Sequence, residues 1–332
     1  MNGWRVVTAF ALAGIPFGIS VPASGFDLNL PVACTLGEDC FVQQYPDMDP
    51  GPGALDPFCG SATYNGHDGT DLRILSMEDV ARGVQVLAMA SGKVLRSRDG
   101  EPDRLVVTAK GKEAALSREC GNGLVIQHDD GIEIQYCHLK QWSISVRPGD
   151  NVRKGGIIGQ VGASGMAQFP HVHVTVRKDG RVIDPSTGKF VPGRCDEAKA
   201  ETTPLFSRDV LARLGHGDTQ ILSLGLAESA IEHAQLVVSG PPPPADVFSS
   251  ALVGWAWLQN LRTGDRVSVE VTGPNGKLLA SGMTAPVNRT KASFSSYVGK
   301  RGAPMPGPYS VTVKLLRDGR SVLEKTGLYR VE

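Results

Sequence analysis

The residues of this chain best suited to chemistry are histidines set beside a carboxylate. In Tyr64-Asn-Gly-His-Asp-Gly-Thr-Asp71, His67 and Asp71 stand four positions apart, and Gly66 and Gly69 free the backbone around them. Further on, Phe169-Pro-His-Val-His-Val174 sets His171 and His173 two positions apart. That run reads as a strand, so both imidazoles point to the same side. His67, Asp71 and one of the later pair supply two imidazoles and a carboxylate. Such a donor set holds zinc tetrahedrally and leaves the fourth position open to water, as catalytic rather than structural sites do.

The elements that must position these groups are short strands. Residues 83–89, 92–95, 105–108, 124–128, 132–136 and 171–176 are β-branched or alternating, and Gly and Asp-Gly turns separate them. Asp130-Gly131 and Asp179-Gly180 are strong hairpin signals. No helical period of useful length occurs between residues 69 and 184. Connections this short exclude crossovers, so the expected sheets are antiparallel. His128 precedes the first of these turns and reads as a structural or surface residue, whereas His138 ends the strand that leaves it.

The N-terminus carries Arg5, an apolar run over 6–19 and Val21-Pro22-Ala23. A positive start, an apolar centre and small residues describe a secretory signal peptide cleaved near Ala23. The run is shorter than the ~20 residues a membrane span needs, and Pro16 breaks it. No second long apolar run follows, so no stable membrane insertion is expected after cleavage. Export makes the six cysteines candidates for three disulfides. Six cysteines allow about 15 connectivities and spacing alone leaves them open; the pairs favoured are Cys34–Cys40 and Cys120–Cys137, which would leave Cys59 to Cys195. A thiolate metal site is disfavoured because no Cys-x-x-Cys pair is present. Residues 26–57 are rich in Asp, Pro and Gly, a composition that opposes helices and central strands. They read as an ordered loop over the next domain. Asp47 and Asp49 lack the ligand spacing of a calcium loop. Net charge is zero with no basic block, so nucleic acid is not an expected partner.

Taken together, the motifs resemble those of the lysostaphin-like zinc metallopeptidases, the LytM-type peptidoglycan endopeptidases. The resemblance rests on His67-Asp-Gly-Thr-Asp71, Tyr136-Cys-His-Leu139 and Pro170-His-Val-His173, in that order. A Gly-Asp-x-Val pattern over 146–159 and the trailing Asp184-Pro185 accompany them. The resemblance covers roughly residues 59–190. It implies zinc ligands His67, Asp71 and His173, one ion per chain, with His138 and His171 as the two further histidines of the catalytic centre. His171 is the expected base and His138 the stabiliser of the developing oxyanion, although the two roles are exchangeable at this level. Two departures border the implied substrate groove. One is a longer charged excursion between Arg96 and Cys120; the other is Met166-Ala-Gln-Phe169, where the family has small residues.

Beyond a linker over 193–217, which holds a helical candidate at 208–214, a second β-rich region begins. Val267, Val269 and Val271 alternate with Ser268, Glu270 and Thr272, and turns at Asn275-Gly276 and Asp318-Gly319 mark hairpins. Trp255 and Trp257 share a strand face and read as packing residues in preference to a ligand platform. The expected fold is all-β: an antiparallel β-sheet LytM-type peptidase domain (the duplicated hybrid motif) followed by an immunoglobulin-like β-sandwich. The expected divisions are a signal peptide over 1–23, an Asp/Pro/Gly-rich segment over 24–58, a peptidase domain over 59–192, the linker, and the sandwich over 218–332. The implied activity is an exported zinc endopeptidase of peptidoglycan stem peptides or cross-links, periplasmic in a Gram-negative bacterium or secreted. The periplasmic setting points to D-alanyl–diaminopimelate cross-links. The alternative is a non-catalytic wall-binding or regulatory protein on the same scaffold.

Overall fold

The computed structural model describes residues 27–196, 203–215 and 219–332, so the signal peptide expected over 1–23 lies outside the described residues. The first part of the chain forms β1 (Cys40–Gln44), β2 (Thr70–Ile74), α1 (Met77–Arg82), β3 (Gln85–Leu87), β4 (Gly92–Arg98), α2 (Ala109–Ala115), β5 (Asn122–Gln127), β6 (Ile132–Leu139), β7 (Asn151–Val152), β8 (Ile157–Gln160), β9 (His171–Lys178), β10 (Arg181–Val182) and α3 (Arg208–Leu214). An eight-stranded sheet runs β1-β2-β9-β6-β5-β4-β7, with β10 on β9, while β3 and β8 form a separate pair. Its strands pair antiparallel throughout. β9 shows why. Val172, Val174 and Val176 are buried in the core, and the alternate positions His173 and Thr175 occupy the opposite face. Leu72 and Ile74 of β2, with Ile132, Ile134 and Tyr136 of β6, join the same core.

Two helices interrupt this region where no helical period is legible. α1 spans 6 residues and starts on a capping box between Ser76 and Asp79; α2 spans 7 and starts on the Thr108 side chain. Neither is long enough to show a repeat, and the caps act where periodicity cannot. The Asp/Pro/Gly-rich segment also supplies a strand. β1, in its Pro- and Gly-free stretch, lies at the outer end of the sheet order. The Asp179-Gly180 turn closes β9 and β10 with both residues at positive φ (50° and 79°), as a two-residue hairpin requires. Disulfides join Cys34–Cys40, Cys59–Cys195 and Cys120–Cys137, the three expected pairs.

The second part contains β11 (Gln220–Ala227), α4 (His233–Ser239), β12 (Ala251–Leu261), β13 (Arg266–Thr272), β14 (Leu278–Met283), β15 (Lys291–Arg301), β16 (Gly307–Arg317) and β17 (Arg320–Val331). A three-stranded sheet, β11-β12-β15, faces a four-stranded one, β14-β13-β16-β17. In chain order this sets strands A, B and E against C′, C, F and G, the immunoglobulin-like arrangement. Val267, Val269, Val271, Val311, Val313 and Leu315 fill the space between the sheets. The Tyr309 hydroxyl, at the start of β16, donates to the Met305 carbonyl at 2.8 Å, the corner contact found in such sandwiches.

The two parts meet along the edge strand. Gln259 donates to the Val42 carbonyl and Asn260 to the Gln43 carbonyl, each at 2.9 Å, so sandwich amides cover the outer edge of β1. Trp255 and Trp257 are buried in a small core with Phe41, Leu222, Ala227 and Leu236. The tryptophans are packing residues that join the parts. The buried side chains of α3, Val210 and Leu214, pack with Phe206 into the core of the first part. Among the described residues no helix is long and apolar enough to cross a membrane.

Candidate metal centre

Strand register builds the site. Asp71 of β2 pairs with His173 of β9, which pairs with Cys137 of β6, so the three lie in one row on the sheet face away from the core. His67 reaches that row from the loop before β2. His67 Nε2 lies 3.2 Å from Asp71 Oδ1 and 3.2 Å from His173 Nδ1, and His173 Nδ1 lies 2.8 Å from Asp71 Oδ1. Donors about 2.0–2.1 Å from a tetrahedral ion stand about 3.3–3.4 Å from one another, so the triangle has nearly the size such an ion needs. His67, Asp71 and His173 are the members of a group able to hold a metal ion. The Cys34, Asp39 and Cys40 cluster shares that spacing, but its sulfurs are joined in a disulfide.

Partners outside the triangle decide which nitrogens face inward. His67 Nδ1 donates to the Tyr45 carbonyl at 2.7 Å, so its Nε2 presents a lone pair. His173 Nε2 lies 3.2 Å from Asp68 Oδ1 and 3.0 Å from Thr175 Oγ1, which turns Nδ1 toward Asp71 and His67. Two lone pairs and a carboxylate therefore converge, and a cation fits between them. Burial pushes the Asp71 carboxyl up, but the imidazoles of His67, His171 and His173 outweigh it and hold the group well below the usual carboxylate range. Without a metal ion the cation is a proton. Burial lowers the His173 pKa, yet hydrogen bonds and charges from Asp68 and Asp71 dominate and push it up to about 9.

The other two histidines stand beside the triangle. His171 Nε2 is 3.7 Å from Asp71 Oδ1, and the rings of His138 and His171 lie 4.5 Å apart. His171 Nδ1 donates to the Phe169 carbonyl at 2.8 Å, and His138 Nδ1 to the Ser164 carbonyl at 2.7 Å. Both Nε2 atoms are therefore acceptors in the neutral rings. Burial drives both pKa values down, in His138 well below the ordinary value, with neighbouring imidazoles adding to the effect there. His138 adopts a φ of 63°, in the left-handed region uncommon outside glycine, and strain of this kind gathers at functional sites.

All five sequence-designated residues thus come together. His128 does not join them: it is buried and hydrogen-bonded to the Ser91 carbonyl at 2.9 Å. Asp47 is equally structural, its carboxylate accepting from the backbone N–H groups of Asp49, Leu55 and Gly66. Sequence reasoning missed Asp68, Thr175 and the Tyr45 carbonyl. Asp68 and Thr175 had a signal, since each lies within two positions of a ligand. Tyr45 had none, because its contribution is a main-chain atom. Beside the row lies a cavity of about 260 Å³ lined by Arg96, Arg98, Cys120, Gly123, Val125 and Gln135, among others.

The profile of peptidase family M23 matches residues 65–185, the stretch that carries all five residues. The chain is 34% identical over 103 residues to the DD-carboxypeptidase/endopeptidase Mpg of Neisseria meningitidis serogroup B, covering 31% of this chain and 21% of that protein. It is 37% identical over 76 residues to an uncharacterized metalloprotease of Buchnera aphidicola subsp. Baizongia pistaciae, covering 23% of this chain and 20% of that protein. The chain therefore spans about a fifth of the length of these curated relatives. Among solved structures, the catalytic domain of lysostaphin from Staphylococcus simulans aligns at 22% identity over 43% of this chain and 85% of that one, with a TM-score of 0.28.

Proposed function

We propose that the chain is an exported zinc endopeptidase that hydrolyses peptide bonds in peptidoglycan stem peptides or cross-links. The observation that carries this reading is the convergence of His67 Nε2, Asp71 Oδ1 and His173 Nδ1 within 3.2 Å of one another, with each imidazole turned inward by an outer partner. The ligand set is intact, which favours the enzyme over a non-catalytic wall-binding protein on the same scaffold. Disulfides and the expected signal peptide support export. The substrate class rests on the match of residues 65–185 to peptidase family M23 and on similarity to the relative named as a DD-carboxypeptidase/endopeptidase.

His67, Asp71 and His173 would hold the zinc, which when bound would supply a Lewis acid able to lower the pKa of a water toward 7 and polarise a carbonyl. The protein's own groups then manage protons. His171, neutral with an acceptor Nε2 nearest Asp71, takes the proton from the attacking water and returns it to the leaving amine. His138, the other candidate for the centre, has its Nε2 as an acceptor in the neutral ring, so it accepts the second hydrogen of that water and fixes its approach. Asp68 keeps His173 in the tautomer whose Nδ1 faces Asp71 and His67. The cavity beside the row receives the substrate chain, with Arg96 and Arg98 among the residues that line it.

The test is digestion of purified sacculi with zinc-loaded protein, followed by mass spectrometry of the released muropeptides alongside a pentaglycine peptide. New amino termini at cross-links or stem peptides are the expected result. Intact sacculi with bound protein would instead establish the non-catalytic scaffold.

A further inference from the structure

Arg73 is an unusual residue for the interior: it is only 1% exposed, and among the described residues no carboxylate pairs with it. Its guanidinium donates to Gln43 Oε1 at 2.8 Å and to the Ile74 and Leu75 carbonyls at 3.3 Å. A cation among neutral acceptors is costly to bury unless something else compensates. Here aromatic faces do so. The guanidinium carbon lies 4.7 Å from the ring centroid of Trp257 in the sandwich and 5.1 Å from that of Phe169 in the peptidase part. Trp257 is itself fixed by an Nε1–H bond to Ser293 Oγ at 2.8 Å. The sandwich also holds Gln43, which donates to the Ala292 carbonyl at 2.6 Å.

Phe169 is where this contact reaches the chemistry. Its ring lies 4.5 Å from that of His171, tilted by 30°, and its carbonyl accepts His171 Nδ1–H. One residue thus covers a face of the imidazole and sets its tautomer. Arg73 and His171 are also register partners across β2 and β9. We infer that the sandwich acts as a positioning element for the hydrolytic site, through a stacked column Trp257–Arg73–Phe169 that holds His171 in its working orientation. The inference rests on the hydrolytic reading above for its kinetic consequence, and on geometry alone for its structural one. Phe169 is also where the sequence departs from the family's small residues. The bulky ring there is explained as the seat of Arg73.

The test uses the full mature chain and three variants: Trp257→Leu, Trp257→Phe and Arg73→Met. Steady-state kinetics on a soluble cross-linked muropeptide, zinc content, and hydrogen–deuterium exchange are measured for each. In Trp257→Leu and Arg73→Met, kcat is expected to fall roughly 10–100-fold, the scale of an outer partner's loss, with KM and zinc content unchanged. Exchange over residues 163–171 should rise while the strands of the sandwich keep their protection. Trp257→Phe, which retains an aromatic face, should restore kcat to within about threefold of the parent. Wild-type kcat and wild-type exchange over 163–171 in folded Trp257→Leu and Arg73→Met would overturn the inference. So would a loss shared by kcat, KM and zinc content. If the parent does not cleave, the proposed function fails, and the exchange data still decide whether the column holds the 163–171 segment.

Discussion

The large sheet of the first part and the sandwich of the second are both antiparallel, yet they treat buried polar groups in opposite ways. The sheet buries His67, Asp71, His138 and His171 on the face that carries the metal row. The sandwich fills its centre with Val267, Val269, Val271, Val311, Val313 and Leu315. Burying titratable groups costs free energy that apolar packing does not, and it is sustained where their altered proton affinities are used. The sandwich's buried carboxylate, Asp265, is matched by Arg317 with paired contacts at 2.8 Å, which is a structural solution. The contrast teaches that the first part trades stability for chemistry and the second supplies packing.

The largest effect that could break this comparison comes from the row itself. Asp71→Ala leaves two imidazoles and no carboxylate; zinc content should drop from one per chain to a trace, and cleavage should become undetectable. Retained zinc and cleavage in that variant would contradict the assignment. His171→Ala should keep its zinc while kcat falls by roughly 10²–10⁴-fold, the worth of a positioned general base. Metal uptake should depend on pH because binding displaces the His173 proton. With that pKa raised to about 9, the proton is held below 9 and must leave, so affinity should rise about tenfold per pH unit from pH 7 to 8 and level off above about 9. Chelator competition at several pH values measures this. At the quiet end, Leu315→Ala should destabilise the sandwich by about 2–5 kcal/mol in urea titrations and leave kcat at 25 °C unchanged. A lost kcat there, with the sandwich still folded, would show that the two parts are not divided as described.

The metal row was legible in the sequence because its parts are local. His67 and Asp71 share a turn, and His171 and His173 share a strand whose period of two sets their common side. The valines of β9 and β13 gave away their faces for the same reason, and the Asp-Gly turns gave the hairpins. What was hidden depends on contacts between distant segments. α1 and α2 are held by caps and tertiary packing over too few residues to show a repeat. β1 is a strand through its pairing with the distant β2, with sandwich amides on its other edge, and nothing in Cys40-Phe-Val-Gln-Gln44 announces that. Nothing local to Arg73 announces its burial, which depends on Phe169 and Trp257 closing around it.

His67, His138 and His171 each hand Nδ1–H to a main-chain carbonyl, of Tyr45, Ser164 and Phe169 in turn. A carbonyl oxygen survives every side-chain exchange at its own position, so alanine scanning around these histidines would leave their tautomers unreported. Ester replacement of the peptide bond, which weakens the acceptor without altering a side chain, is the perturbation to which these rings are exposed. The proton inventory of the centre is in this sense inherited from the backbone path, and drift in neighbouring side chains can leave it intact for as long as that path is kept.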